Sequence, residues 1–147
     1  MRSKTILLVE DSADDADLVI RALRQGSLTN EVHLARDGVE AIDYLFPTAG
    51  DGAAPGLPLL MLLDLKLPKV GGLEVLRRVR ADERTRLLPV VILTSSREER
   101  DVLAGYELGV NSFVTKPVDF APFADAVRKL GLFWLLINEP PPPARNP

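Results

Sequence analysis

Hydrophobic residues in this chain come in short unbroken runs, separated by stretches where they recur every three or four positions. The three clearest runs are 5–10 (TILLVE), 59–64 (LLMLLD) and 90–94 (VVILT). Each has strand length and is bounded by turn residues or charges. Unbroken rather than alternating hydrophobicity implies burial on both faces, the habit of central parallel strands. Two weaker strands fit at 31–35 (EVHLA), where Val32 and Leu34 share a face, and at 111–115 (NSFVT), which is β-branched and aromatic. Helices fill the intervals. Ser12 and Asp15 form an S-x-x-D capping signal ahead of DADLVIRALR. Residues 37–45 place Val39, Ile42 and Leu45 at helical spacing, and 72–81 carry Leu73, Val75, Leu76 and Val79. Residues 98–108 are charged at their start and weaker in their apolar stripe. Phe120, Phe123, Val127, Leu130, Trp134 and Ile137 mark a last helix.

The order is strand then helix, five times over. Such alternation predicts an α/β domain: a parallel sheet covered by helices on both faces, with right-handed crossovers. The 147 residues suit one domain, which we place at 1–137, with the last helix extended to 137 and a proline-rich tail at 138–147. The stretch 46–58 (FPTAGDGAAPGLP) reads as a surface insertion.

Composition removes several function classes. There is no cysteine, so disulfides, thiolate nucleophiles and cysteine-held metal clusters are excluded. A single histidine excludes sites that need two imidazoles. The net charge of −3 argues against a nucleic-acid surface. The start, MRSKTILLVEDS, lacks the roughly 7–15 apolar residues of a secretory signal. No run approaches the roughly 20 apolar residues that cross a bilayer. The expectation is a soluble, cytoplasmic protein without membrane or nucleic-acid partners.

In an open parallel sheet, sites form beyond the carboxyl ends of the strands, where strand order reverses. The first strand ends in Glu10 and Asp11, the third in Asp64, the fourth in Thr94 and Ser95, and the fifth in Thr115, Lys116 and Pro117. Three carboxylates, a hydroxyl and an ammonium would converge there. Like charges about 4 Å apart repel by roughly 4 kcal/mol per pair at an effective dielectric near 20. A helix cap explains Asp11 alone and a salt bridge explains Asp64 alone, but three acids on one edge call for a cation. Hard oxygen ligands without histidine or cysteine suit Mg²⁺ or Mn²⁺.

With VEDS at the first strand, LLDLKLPKVGG at the third, VVILTSS at the fourth and FVTKP at the fifth, the chain resembles the response-regulator receiver domains of two-component signalling. The resemblance covers Thr5 to about Leu130. Within that family, Glu10–Asp11, DLKLPKVGG, the 111–117 stretch and the FWLLI segment are similar to regulators serving bacterial phytochromes. The resemblance implies a flavodoxin-like sheet in strand order 2-1-3-4-5. It implies Asp64 as phosphoryl acceptor, and a Mg²⁺ held by Asp11, Asp64, the Lys66 backbone carbonyl and Glu10, directly or through water. Thr94 and Lys116 would bind phosphoryl oxygens. Thr94 and Phe113 would form the switch, through packing alone because Phe113 has no hydroxyl. The Lys116–Pro117 bond is commonly cis in this family, and Pro68 with Gly71 and Gly72 suits a tight turn after the acceptor.

The implied donor is a phosphohistidine on a sensor histidine kinase, of the phytochrome type by the narrower match. His33 falls within the second strand, so the donor must come from a partner. Such a chain catalyses only its own phosphorylation and dephosphorylation. Too few residues follow Leu130 for an attached effector, so output is expected through another protein, or through a homodimer formed by the apolar end of the last helix (LFWLLI, 132–137) and its neighbours. A phosphate sink for a shared kinase and an unphosphorylated interaction module remain as alternatives. Other classes fit less well. Metal-dependent phosphatases that form aspartyl phosphate use D-x-D, but Lys66 occupies that second position. A flavin module needs a Ser/Thr/Gly-rich loop after the first strand, where Glu10 and Asp11 stand. No G-x-x-x-x-G-K occurs.

Overall fold

The structure is a computed structural model and describes residues 5–26, 28–47, 56–67, 69–95 and 112–129. Five strands, β1 (Ile6–Val9), β2 (Val32–Ala35), β3 (Leu60–Asp64), β4 (Val90–Thr94) and β5 (Ser112–Thr115), form one parallel sheet in the order β2-β1-β3-β4-β5. The described helices are α1 (Ala13–Gln25), α2 (Gly38–Leu45), α3 (Gly72–Ala81) and α4 (Phe120–Lys129). The expected helix at 98–108, Pro68, the tail and the extension of the last helix beyond Lys129 lie outside the described residues.

The unbroken hydrophobic runs divide by parity between two cores. Ile6, Leu8, Leu60, Leu62, Val91 and Leu93 face one side and pack against Ala16, Val19 and Leu23 of α1 and Phe123 and Val127 of α4. Leu7, Val9, Met61, Leu63, Val90 and Ile92 face the other and pack against Ala41 and Leu45 of α2 and Val75, Leu76 and Val79 of α3. Burying both faces of a strand requires apolar residues at every position, which is why these runs do not alternate. β2 is at the sheet edge, and its pattern of exposed His33 between half-buried Val32 and Leu34 reflects that.

Register aligns the strand ends. Val9 sits opposite Leu63, so Glu10 comes level with Asp64. Asp64 is opposite Leu93 and Thr94 is opposite Thr115, so Lys116 follows directly. The chain leaves β1 for β2 on one side and returns to β3 on the other. This order reversal opens a crevice at the carboxyl edge between β1 and β3.

Two local devices fix this edge. The Ser12 side chain caps α1 by accepting the Asp15 amide at 3.2 Å. The return arm of a capping box comes from elsewhere: Glu10 Oε2 accepts the Ser12 amide at 3.2 Å. The start of α3 lies against the backbone of the β3 end. The Gly72 amide donates to the Leu65 carbonyl at 3.1 Å. A Cβ on Gly72 would fall 2.4 Å from the Asp64 carbonyl oxygen and 2.7 Å from the Leu65 Cα. Neither contact can be relieved by a side-chain rotation. Gly72→Ala is therefore expected to destabilise the domain by about 1–3 kcal/mol, as overpacking does. The readout is a lower urea midpoint with an unchanged slope, and an unchanged midpoint would refute the close approach.

Candidate functional site

Glu10, Asp11 and Asp64 come together at the carboxyl edge. Each offers a carboxylate oxygen, and these oxygens lie within 4.8 Å of one another. Glu10 is buried at the end of β1, where its amide donates to the Ala35 carbonyl at 2.9 Å. Asp64 is buried at the end of β3, and Asp11 is exposed at the mouth. The Lys66 amide donates to Asp64 Oδ1 at 3.2 Å, which fixes the carboxylate from its own loop. This turns the loop backbone of Lys66 toward the acid cluster, and the Lys66 side chain is exposed.

Lys116, just past β5, reaches across this cluster. Its Nζ lies 2.7 Å from Glu10 Oε1, 3.1 Å from Asp64 Oδ2 and 3.2 Å from Asp15 Oδ2. The contact with Asp15 is a hydrogen bond. The one with Glu10 is a close ion pair, since the fully buried Oε1 takes no well-directed hydrogen bond. The Lys116–Pro117 bond is cis, as the resemblance implies.

Sequence reasoning missed Asp15, reading it as half of a helix cap. The missing signal was spatial: only the folded chain brings the first turn of α1 to the residue after β5. Thr94 ends β4 at the expected place, and its side chain lies outside what the structure describes. Phe113 is in β5 opposite Ile92, half-buried against the core on the α2 and α3 side. His33 is in the middle of β2, opposite Leu7, stacked on Tyr44 at 4.2 Å between ring centres and outside the carboxylate cluster.

Electrostatics follow from one cation shared among several acids. Burial pushes the Glu10 carboxyl up to about 7. Contact with Lys116 opposes the rise and the Asp64 charge adds to it. Burial alone would lower the Lys116 ammonium, but Glu10 and Asp64 outweigh it and hold Lys116 above the ordinary lysine value. Both values are raised, which disfavours the charged form of Glu10 and favours that of Lys116. They are reconciled because Lys116 serves more than one carboxylate, so the most buried acid is the one left under-compensated. Such a donor set fits a hard divalent cation, which adds charge where the protein lacks it.

The sign of the pH dependence follows. Glu10 titrates near 7 when folded against an ordinary 4.5. A raised folded value stabilises fully below about 4.5, and that contribution is lost as pH rises to about 7. In metal-free buffer, unfolding free energies should fall across this window, and Glu10→Gln should flatten the fall. A Gln variant with the wild-type slope would remove Glu10 as its source. Lys116→Met leaves the two buried carboxylates uncompensated and should destabilise at neutral pH by about 2 kcal/mol or more. Asp64→Asn in that background should restore part of the loss, and strict additivity of the two substitutions would show that the groups are not coupled.

Comparison with known proteins places this geometry. The model of the response regulator receiver domain matches residues 6–128. The response regulator Rcp1 of Synechocystis sp. (strain ATCC 27184 / PCC 6803 / Kazusa) is 40% identical over 132 residues, covering 90% of this chain and 89% of Rcp1. The structure of the bacteriophytochrome response regulator AtBRR matches with a TM-score of 0.84 at 54% identity, covering 95% of this chain and 100% of that one. The Mn²⁺-bound form of Rcp1 matches with a TM-score of 0.70 at 40% identity, covering 90% of this chain and 94% of that one. Receiver domains bind Mg²⁺ or Mn²⁺ at an acidic pocket of this kind and interact with histidine kinases. The chain belongs to the response regulator receiver domain family.

Proposed function

We propose that this receiver takes a phosphoryl group onto Asp64 from a phosphohistidine of a sensor histidine kinase, of the phytochrome class, and signals through protein contacts. The observation that carries the reading is Lys116 Nζ held at 3.1 Å from Asp64 Oδ2 and 2.7 Å from Glu10 Oε1, beside exposed Asp11. In the transfer, an Asp64 carboxylate oxygen bonds to phosphorus as the phosphorus–nitrogen bond breaks, and the bonding pair stays on the imidazole of the partner. In hydrolysis, water attacks phosphorus, the bond to Asp64 breaks, and the products are the carboxylate and inorganic phosphate.

Each residue has a part in this. Asp64 is the nucleophile, oriented by the Lys66 amide. Asp11, Asp64, the Lys66 carbonyl and Glu10 are the groups we assign to hold Mg²⁺, with Mn²⁺ as an alternative. Bound there, the cation supplies charge that offsets repulsion between acceptor and phosphoryl oxygens. Lys116 and Thr94 bind phosphoryl oxygens, and Phe113 answers the movement of Thr94 by repacking. A transfer fed by a kinase of this class occurs in the cytoplasm, and no described helix is long and apolar enough to cross a membrane. The apolar segment 132–137, outside the described residues, is the surface we assign to self-association.

The reading is tested by labelling with acetyl phosphate. Wild type should acquire one acid-stable, alkali-labile phosphoryl group only when Mg²⁺ or Mn²⁺ is present. Asp64→Asn should acquire none, and Asp11→Asn should need at least tenfold more metal, in line with loss of a charged ligand. Absence of label on wild type would favour an interaction module that works without phosphorylation. Label on Asp64→Asn would move the acceptor elsewhere.

A further inference from the structure

Lys116 has three N–H bonds, and three carboxylates stand within 3.2 Å of its nitrogen. Glu10 and Asp64 lie on the inner side, at the ends of the central strands. Asp15 lies outside them on the first turn of α1, with its side chain 36% exposed, yet it forms a hydrogen bond with the ammonium. The helix is held in this place by its own cap, since Ser12 accepts the Asp15 amide and Glu10 accepts the Ser12 amide. Cap and anchor are thus one unit: the backbone of Asp15 is fixed by Ser12, and its carboxylate is aimed at Lys116.

We propose that Asp15 is a positioning residue for Lys116, taking one N–H bond of the ammonium so that its nitrogen is held against Glu10 and the Asp64 oxygen. This rests on the reading of Asp64 as phosphoryl acceptor. A lysine side chain has four rotatable carbon–carbon bonds, and its charge alone does not fix where its N–H bonds point. An outer carboxylate that occupies one of them removes that freedom before the phosphoryl group arrives. The N–H now facing Asp64 Oδ2 then faces the phosphoryl oxygen as it forms. Pre-organisation of this kind acts on the rate of the bound complex rather than on donor capture.

A neighbouring acid on the same helix provides the control. Asp17 is exposed and pairs only loosely with Arg21, at 3.9 Å. Removing Asp17 subtracts the same charge from α1 without touching Lys116. A general electrostatic effect on an anionic donor would therefore appear in both variants, and a positioning effect only at Asp15.

The test uses the full chain, saturating Mg²⁺ and acetyl phosphate over a range of concentrations, with wild type, Asp15→Ala, Asp15→Asn and Asp17→Ala. Asp15→Ala should lower the maximal labelling rate about tenfold, the effect of roughly one charge-assisted hydrogen bond. Donor half-saturation should change less than threefold. Asp15→Asn, which keeps an acceptor oxygen, should recover most of the lost rate. Asp17→Ala should behave as wild type. In the metal-free protein, the ¹⁵Nζ resonance of Lys116 should be seen in wild type and be broadened or shifted in Asp15→Ala. Urea midpoints confirm that each variant is folded under assay conditions. A wild type that takes no label overturns the acceptor reading itself. A labelled wild type with an equal maximal rate and an unmoved Lys116 resonance in Asp15→Ala overturns the role of Asp15 alone. An equal loss in Asp15→Ala and Asp17→Ala overturns it in favour of simple charge.

Discussion

One ammonium serves a crowd of carboxylates, and much of this molecule can be understood as a way of arranging that shortage. Lys116 meets Glu10, Asp15 and Asp64 directly, and Asp11 stands a few ångströms further out. These groups come from the ends of β1, β3 and β5 and the first turn of α1, so no single segment of chain could assemble them. What brings them together is parallel register. Because Val9 is level with Leu63 and Thr94 with Thr115, the polar residues that end β1, β3, β4 and β5 come to the same edge. The apolar core is therefore the device that forces like charges together. The hydrophobic burial of two complete strand faces holds acids at separations they would not choose in water.

The site is stiff at Asp64 and open at its mouth. Asp64 is held by the Lys66 amide from one side and Lys116 from the other, and its own carbonyl is backed by Gly72. The loop after it is tied down further along. Lys69 adopts a left-handed backbone with φ of 66°, which a side-chain-bearing residue enters only at a cost of about 1–2 kcal/mol. Its ammonium reaches Asp37, the cap of α2, at 3.3 Å, and this ion pair helps to offset that cost. The loop after Asp64 is thus anchored on α2 and on α3, while Asp11 faces solvent and stays accessible to an ion or a partner.

Most of the architecture was legible because the rules that set it are local. Unbroken apolar runs marked strands buried on both faces, and the parity split between the two cores is the physical content of that pattern. The acids and the lysine could be placed at strand ends because parallel strands all run the same way. Three features escaped. Asp15 looked like a capping partner because S-x-x-D is a local pattern, whereas its carboxylate is spent on a residue far along the chain. The reciprocal cap came from Glu10, which no capping motif would nominate. Gly72 was read as a turn residue, and its real constraint is steric contact with the backbone of Asp64 and Leu65. In each case, the deciding neighbour is remote in sequence or is backbone rather than side chain, and periodicity carries no information about either.

Under the proposed phosphorylation of Asp64, the same charge shortage explains why the modification should be felt beyond the site. A phosphoryl group brings about −1.5 to −2 charges to an edge where one lysine already serves three acids. A divalent cation can balance most of that addition, but the oxygens still need donors with direction. Lys116 Nζ already lies within 3.2 Å of Glu10, Asp15 and Asp64, so a phosphoryl oxygen on Asp64 would compete for the same ammonium. Any oxygen left over must draw a donor from the next strand end, which is the end of β4. Thr94 sits there, in register with Thr115, and the neighbouring pair Ile92 and Phe113 lies two residues back on the same strands. Under that proposal, a displacement of Thr94 toward Asp64 would be transmitted first to the packing of Phe113, because β4 and β5 share that register and Phe113 is only half-buried.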